Sequence, residues 1–266
     1  MAEALPAAPS GTEVTIDFVR HRNTLLVRGD LSSLLVDYYL HLADQKLQYE
    51  PAAATAFRDG LAAFVLHTAS RPRHEHLAWT VNLQEPRVNL FFAGDNEDCT
   101  VTGRLFTENV REAEQNVFYA ELMPRRGTEK RRSVVNFTEA NLCGAVESYY
   151  ATSEQRLARF FDLGGDQFAL LLSHPDCDES WLRALETEGV RALAETETLA
   201  RIDRRAYQWS CGCSQQKIMG ALAPAARDSL ASLFGDDESI RVQCPRCAAM
   251  HLITREAMEA FLAQSS

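Results

Sequence analysis

The chain has 266 residues, 46% of them hydrophobic, with 27 Lys and Arg against 37 Asp and Glu and a formal net charge of −10. That length holds one sizeable core plus a small appended domain, and the acidic balance argues against nucleic acid as the default partner. No apolar run reaches membrane-spanning length, and the Ala/Pro-rich residues 1–11 carry no basic charge, so they lack the features of a signal or transit peptide. Seven cysteines without an export signal imply reduced thiols and a cytoplasmic location.

Residues 1–12 are expected to be disordered. Residues 14–20 alternate apolar and polar as a strand does, and 23–27 can form a second. Leu31, Leu34, Leu35, Tyr38, Tyr39 and Leu42 repeat at helical spacing over 31–47. A second helix starts near Pro51, a permitted first-turn position, and ends near Ser70 before Pro72. Strands follow at 77–83, 87–92, 99–106, 116–122 and 133–137, with a turn signal at Gly94-Asp95-Asn96. A helix over 139–153 precedes a hairpin, 159–163 with 167–172, around Gly164-Gly165. This order of helices and antiparallel strands predicts an α+β fold.

The segment 173–178 reads as a boundary. Beyond it, Trp181, Leu182, Leu185, Val190, Leu193 and Leu199 give a charged, amphipathic helical stretch that Gly189 interrupts. The expected organisation is an N-terminal domain over 13–174, a helical linker over 175–208 and a C-terminal domain over 209–266. In the last domain 215–222 and 227–234 read as helices and 240–242 with 251–253 as short strands. Thr254 is placed to cap a final helix.

The chemistry concentrates in that last domain. Cys211-Gly212-Cys213 is followed, after 30 residues, by Cys244-Pro245-Arg246-Cys247. Four thiols in two close pairs suit a tetrahedral, all-cysteine zinc site. A rubredoxin-like iron site is the metal alternative, although that site usually takes two CxxC turns. Gly212 lets the chain bend between its cysteines, and Pro245 presets a turn between the others. A 58-residue domain has a marginal core and commonly needs a metal to fold. The same thiolates that hold a metal are the groups that oxidants attack, so spacing alone leaves a plain zinc ribbon and an oxidant sensor equally open. An extended i,i+2 cysteine pair sits at or past the roughly 4.4–6.8 Å Cα window of a disulfide. The CxxC pair is therefore expected to oxidise first.

The residues from Tyr207-Gln208-Trp209-Ser210 through the CxC, together with Cys244-Pro245-Arg246-Cys247 and the following Leu252-Ile253, resemble the redox-switch domain of the heat-shock protein 33 family of redox-regulated holdase chaperones. Tyr149-Tyr150-Ala151-Thr152-Ser153-Glu154-Gln155 is similar to a helix-end motif of that family's N-terminal domain, and Val27-Arg28-Gly29 to a motif near its start. The resemblance spans nearly the whole chain, with a shorter linker than is usual. It implies a non-enzymatic, ATP-independent chaperone that binds unfolded client proteins under oxidative stress. Zinc would sit on Cys211, Cys213, Cys244 and Cys247 in the reduced protein, and the disulfides Cys211–Cys213 and Cys244–Cys247 would form on oxidation. The family also implies hand-over of clients to an ATP-dependent refolding chaperone and homodimerisation on oxidation, with no membrane partner. The alternative from another class is a zinc-ribbon nucleic-acid-binding or ribosome-associated protein, which the acidic charge disfavours.

Several other residues have a bland reading and a sharp one. His251, where the family usually has an aromatic residue, is read as a packing residue, since four sulfurs already satisfy zinc. Gln215 and Gln216 stand where the family commonly carries charge. The basic run Arg125, Arg126, Lys130, Arg131 and Arg132 is read as a solvated hairpin tip because Glu129 interrupts it and no aromatic platform accompanies it. His74 and His76 are read as loop residues, and Cys99, Cys143 and Cys177 as buried or incidental. No nucleotide-binding or nucleophile-elbow motif is present, and a thiol oxidoreductase would need a βαβ context that is absent.

Overall fold

The computed structural model describes residues 11–110, 112, 114–124, 129–138 and 141–264. Residues 1–10 of the expected disordered start lie outside these, whereas Thr12 is buried and opens the first strand. The chain forms two compact units, Met1–Ser210 and Cys211–Ser266. The fold is α+β. Among the described residues no helix is long and apolar enough to cross a membrane.

The first unit is built on one sheet of ten strands. β1 (Thr12–Val19) and β2 (Thr24–Asp30) are joined by a short 3-10 turn, in which Asn23 takes the left-handed conformation. Two helices follow, α1 (Ser32–Asp44) and α2 (Pro51–Ser70). β3 (Glu75–Leu83), β4 (Val88–Asp95), β5 (Thr100–Phe106), β6 (Asn116–Pro124) and β7 (Arg131–Phe137) form the antiparallel half that the alternation predicts. α3 (Leu142–Tyr149) then leads to the hairpin β8 (Ala158–Gly164) and β9 (Gln167–Ser173).

α2 is apolar nearly all round, and every residue from Gly60 to Ala69 is buried. Such a helix belongs in a core rather than on a surface. Gly60 is needed there, because a Cβ would meet the Phe92 ring at 2.7 Å. α3 starts where the Asn141 side chain accepts from Gly144 N at 2.8 Å. Residues 139–140 of its expected start lie outside the described residues. The helix widens into a π-turn over Tyr150–Glu154 and stops at Gln155, which is left-handed. The Tyr-Tyr-Ala-Thr-Ser-Glu-Gln stretch is therefore a helix terminus. Tyr150 there closes a buried 2.6 Å hydrogen bond with His67 Nδ1, and Tyr149 donates to Glu154 at 2.9 Å.

β2 and β9 are buried on both faces, which explains their unbroken apolar runs. Leu25, Val27, Phe168, Leu170 and Leu172 face the large core under α1 to α3. Leu26, Ala169 and Leu171, one residue out of phase, face a second cluster. That cluster is closed by Leu182, Leu185, Val190 and Leu193 from α4 (Glu179–Ala184), α5 (Thr187–Arg191) and α6 (Leu193–Thr196). The apolar stripe of the amphipathic segment is thus covered by the sheet of its own unit.

The expected helical linker over 175–208 is helical only to Thr196. From Leu199 to Trp209 the chain is a strand, β10, placed between β5 and β1 in the middle of the sheet. It pairs antiparallel with β1 along its length and parallel with β5 at Gln208 and Trp209. Two features hid it from a pattern reading. A bulge opposite Ile16/Asp17 slips the register, so the two-residue period changes phase mid-strand and Ile202 points outward. Its inward row is also polar, with Asp203, Arg205 and Tyr207 where alternation would ask for aliphatics. Asp203 pairs with Arg73 and Arg205, and the partner of Arg205 and Tyr207 is Asn96, fully buried just after β4. Its Nδ2 donates to Arg71 O and Pro72 O, and its Oδ1 accepts from Arg205 Nη1 at 2.9 Å and Tyr207 OH at 2.5 Å. Trp209, placed at the start of the cysteine domain by the sequence reading, packs in the first unit against Tyr38 and His41.

The second unit contains α7 (Gln215–Asp228), α8 (Leu230–Phe234), a hairpin of β11 (Ser239–Gln243) with β12 (Met250–Thr254), and α9 (Arg255–Gln264). α7 runs past the expected end at Leu222 and accommodates Pro224 at the loss of one backbone bond. Thr254 Oγ1 accepts from Ala257 N at 3.2 Å, as an N-cap does. The buried core of this unit is small: Ile218, Ala223, Ala226, Phe234, Ile253 and Met258.

Candidate metal centre

The two cysteine pairs sit on two different kinds of turn. Cys211 and Cys213 flank Gly212, whose φ of +60° is a left-handed conformation that a Cβ would strain. The CxC is therefore bent rather than extended, which removes the geometric premise under which its disulfide was expected to be out of range. Ser214 then caps α7 by accepting from Lys217 N, and Lys217 Nζ reaches back to Gly212 O at 2.5 Å. The CxxC turn closes the β11–β12 hairpin. Cys244 N donates to Ala249 O at 2.8 Å and Ala248 N to Cys244 O at 2.9 Å, with Ala248 left-handed at φ +64°.

These turns bring all four sulfurs within 4.8 Å of one another. The nearest approaches run between motifs, Cys211 Sγ to Cys244 Sγ and Cys213 Sγ to Cys247 Sγ, both 3.7 Å. A tetrahedral ion with sulfur bonds of about 2.3 Å has sulfur–sulfur edges of about 3.8 Å. The arrangement therefore fits a soft, four-coordinate metal ion. Cys244 and Cys247 are buried, Cys211 and Cys213 half-buried. Without a cation the cluster shares its charge unevenly. Hydrogen bonds from Cys247 and Cys244, with Arg246 nearby, pull the Cys211 thiol down to about 5. Cys247 is pushed up in turn by its bond to Cys211 and by burial, and burial with the Cys211 charge lifts Cys213 to about 11. Four thiolates at this spacing need a cation to coexist.

His251 is not a simple packing residue. It follows the CxxC turn on β12, opposite Val242, and its Nε2 lies 3.4 Å from Cys213 Sγ. Its place one strand residue past the turn was legible in the sequence. Its aim at a sulfur 38 positions away was not. Gln215 Nε2 donates to Leu252 O at 3.0 Å, tying the start of α7 to β12.

The other residues singled out belong to the first unit. Cys99 contacts Asn96 O, and Cys177 contacts Thr24 Oγ1 at 3.2 Å. Burial pushes the Cys143 thiol up to about 12, which keeps it protonated and inert. His76 is a strand residue rather than a loop residue, with Nδ1 3.3 Å from Asp95 Oδ2. Of the basic run, Arg125 and Arg126 lie outside the described residues. Lys130 and Arg132 are paired with Glu121, which suits a solvated hairpin tip.

Comparison with known proteins adds three findings. The family model described as Hsp33 protein matches residues 171–254. A curated 33 kDa chaperonin from Nitrosococcus oceani is 25% identical over 154 residues, covering 50% of this chain and 53% of that protein. The match thus spans about half the length of that relative. The crystal structure of the 33 kDa chaperonin from Thermotoga maritima superposes with a TM-score of 0.72 at 14% identity, covering 96% of this chain and 99% of that one. At that identity the likeness is one of fold.

Proposed function

We propose that this chain, which is similar to the Hsp33 family over residues 171–254 and shares its fold, is an ATP-independent holdase chaperone whose four-cysteine unit is a redox switch. The observation that carries the reading is the convergence of four sulfurs, from motifs 30 residues apart, in a unit with little core of its own. In the reduced protein Cys211, Cys213, Cys244 and Cys247 would hold zinc, which when bound neutralises the thiolates and cross-links the two ends of the cysteine segment. Hydrogen peroxide reacts with a pair of these thiolates. Each sulfur gives up one electron, the S–S bond forms as the O–O bond breaks, and two protons from solvent complete two waters. Each disulfide takes two of four sulfurs out of the donor set, and the unit loses its staple.

Unfolded clients would be held on apolar surface uncovered by that loss. The candidate surface is the apolar core that the second unit exposes on unfolding, including Ile218, Phe234, Ile253 and Met258. Cytoplasmic residence, hand-over to an ATP-dependent refolding chaperone and dimerisation on oxidation belong to the same proposal. It assigns no catalytic residue.

Aggregation of a denatured client, followed without ATP in the presence of reduced or peroxide-treated protein, tests the reading. Suppression is expected only after oxidation, together with zinc release and faster hydrogen exchange in 211–264. Equal suppression in both states would make this a constitutive chaperone. No suppression in either state would sink the reading, and salt-dependent RNA binding by the reduced protein would then favour the zinc ribbon.

The order of oxidation is a second expected result. Half-burial favours attack at Cys211 and Cys213, but a disulfide closed over one intervening residue is strained, and departures from disulfide geometry store several kcal/mol. Strain outweighs the modest difference in exposure. Thiol trapping with mass mapping during graded oxidation should find Cys244–Cys247 before Cys211–Cys213; the reverse order would refute this weighing.

A further inference from the structure

The four cysteines are not the whole of the metal centre. In the metal-bound, reduced state Cys213 is a thiolate and can only accept hydrogen bonds. The imidazole nitrogen 3.4 Å from it must then be the donor. His251 is half-buried on β12, a strand that starts three residues after Cys247 and is held in register by all five pairs with β11. The ring therefore approaches the sulfur from a framed position rather than from a mobile tail.

We propose that His251 is a positioning residue for the metal centre: its Nε2–H donates to the Cys213 thiolate, orients that sulfur and slows its loss from the donor set to chelators and oxidants. The physical reason is that a lone pair engaged with an N–H is less available to an electrophile, and charge-assisted bonds of this kind are stronger than neutral ones. Partners of this outer kind set the orientation of metal ligands and alter affinity by about 10–100-fold when removed. The bond also works in the same direction as disulfide strain, protecting the CxC pair while the CxxC pair reacts. Where an aromatic residue without a ring N–H replaces His251, that protection is missing. The threshold of the switch is thus set partly by one side chain that is not a ligand.

The inference rests on the metal-holding reading above, and its test separates the two. Full-length wild type, His251→Phe and His251→Gln are compared. Phenylalanine keeps a ring of similar bulk without a donor; glutamine carries an amide N–H at about the same reach. Three readouts are taken: metal content, the rate of zinc transfer to a chelator, and the sulfur-to-cobalt charge-transfer band of the cobalt-substituted protein. His251→Phe should bind metal in full, transfer it about 10-fold faster or more, and move the band to longer wavelength because the sulfur lone pair rises in energy. His251→Gln should restore most of the wild-type rate and band position. A His251→Phe protein that matches wild type in rate and band overturns the proposal. Equal acceleration in both variants also overturns it, since that pattern reports ring packing rather than donation. Wild-type protein without bound metal would instead fail the metal-holding reading, and this inference with it.

Discussion

Stripping the metal from the reduced, full-length protein should abolish hydrogen-exchange protection over 211–264 and leave it intact over 199–209. Among the described residues the second unit's core cluster buries Ile218, Ala223, Ala226, Phe234, Ile253 and Met258, two of them alanines, and Ala248 is buried beside Cys244 and Cys247. Burying a large apolar side chain contributes about 1.5–3 kcal/mol, while structural zinc in small domains contributes on the order of 10–16 kcal/mol. The metal term therefore decides whether this unit is folded. Unfolding should stop at Ser210 because the preceding strand is not a free tether. β10 is a central strand, paired with β1 from Leu199 to Tyr207 and with β5 at Gln208 and Trp209. Exchange mass spectrometry before and after chelation reads both halves of the expectation. Each single Cys→Ser variant at 211, 213, 244 and 247 should reproduce the loss, with zinc per chain falling well below one. Protection of 211–264 without metal would mean that the small core suffices, and full zinc in any variant would remove that cysteine from the site.

Replacing Asn96 with leucine should destabilise the first unit by about 4 kcal/mol, the combined effect of several buried groups left unsatisfied at about 1–3 kcal/mol each. The Tyr207 hydroxyl loses its acceptor, Arg205 loses one of its acceptors, the Pro72 carbonyl loses its donor, and the Arg71 carbonyl keeps only Arg205 Nη1. For a unit of this size that corresponds to a fall in Tm of roughly 10 °C. All three tryptophans, Trp79, Trp181 and Trp209, lie before Ser210, so intrinsic fluorescence during urea unfolding reports this unit selectively. Tyr207→Phe should cost about 1 kcal/mol alone, and Asn96→Leu should cost less in that background than in wild type, because the two share one hydrogen bond. A loss below about 1 kcal/mol for Asn96→Leu would show that β10 is held by its backbone ladder alone. The result bears on function, since β10 runs directly into Cys211 and limits how far any unfolding of the second unit can spread.

The sequence alone determined the α+β class, the strands from β3 to β7, the long helices and the pairing of cysteines into two motifs. The reason is that each of these is written in a local period or a local spacing: alternation for half-buried strands, 3.6 for α1, a glycine or proline between two thiols. Thr254 as a cap and Pro51 as a helix start are legible on the same ground. Three features were decided only by tertiary structure. β10 was hidden because its inward row satisfies Asn96, a residue more than 100 positions away, and because a bulge breaks its period. The cover of the amphipathic segment was hidden because a stripe states that it is buried without stating against what; here it is the back face of β2 and β9. The bond from His251 to Cys213 was hidden because it depends on the hairpin register and on the bend at Gly212 together. Local periodicity records which side of an element is apolar, whereas a polar partner from a distant segment leaves no period in the chain that receives it.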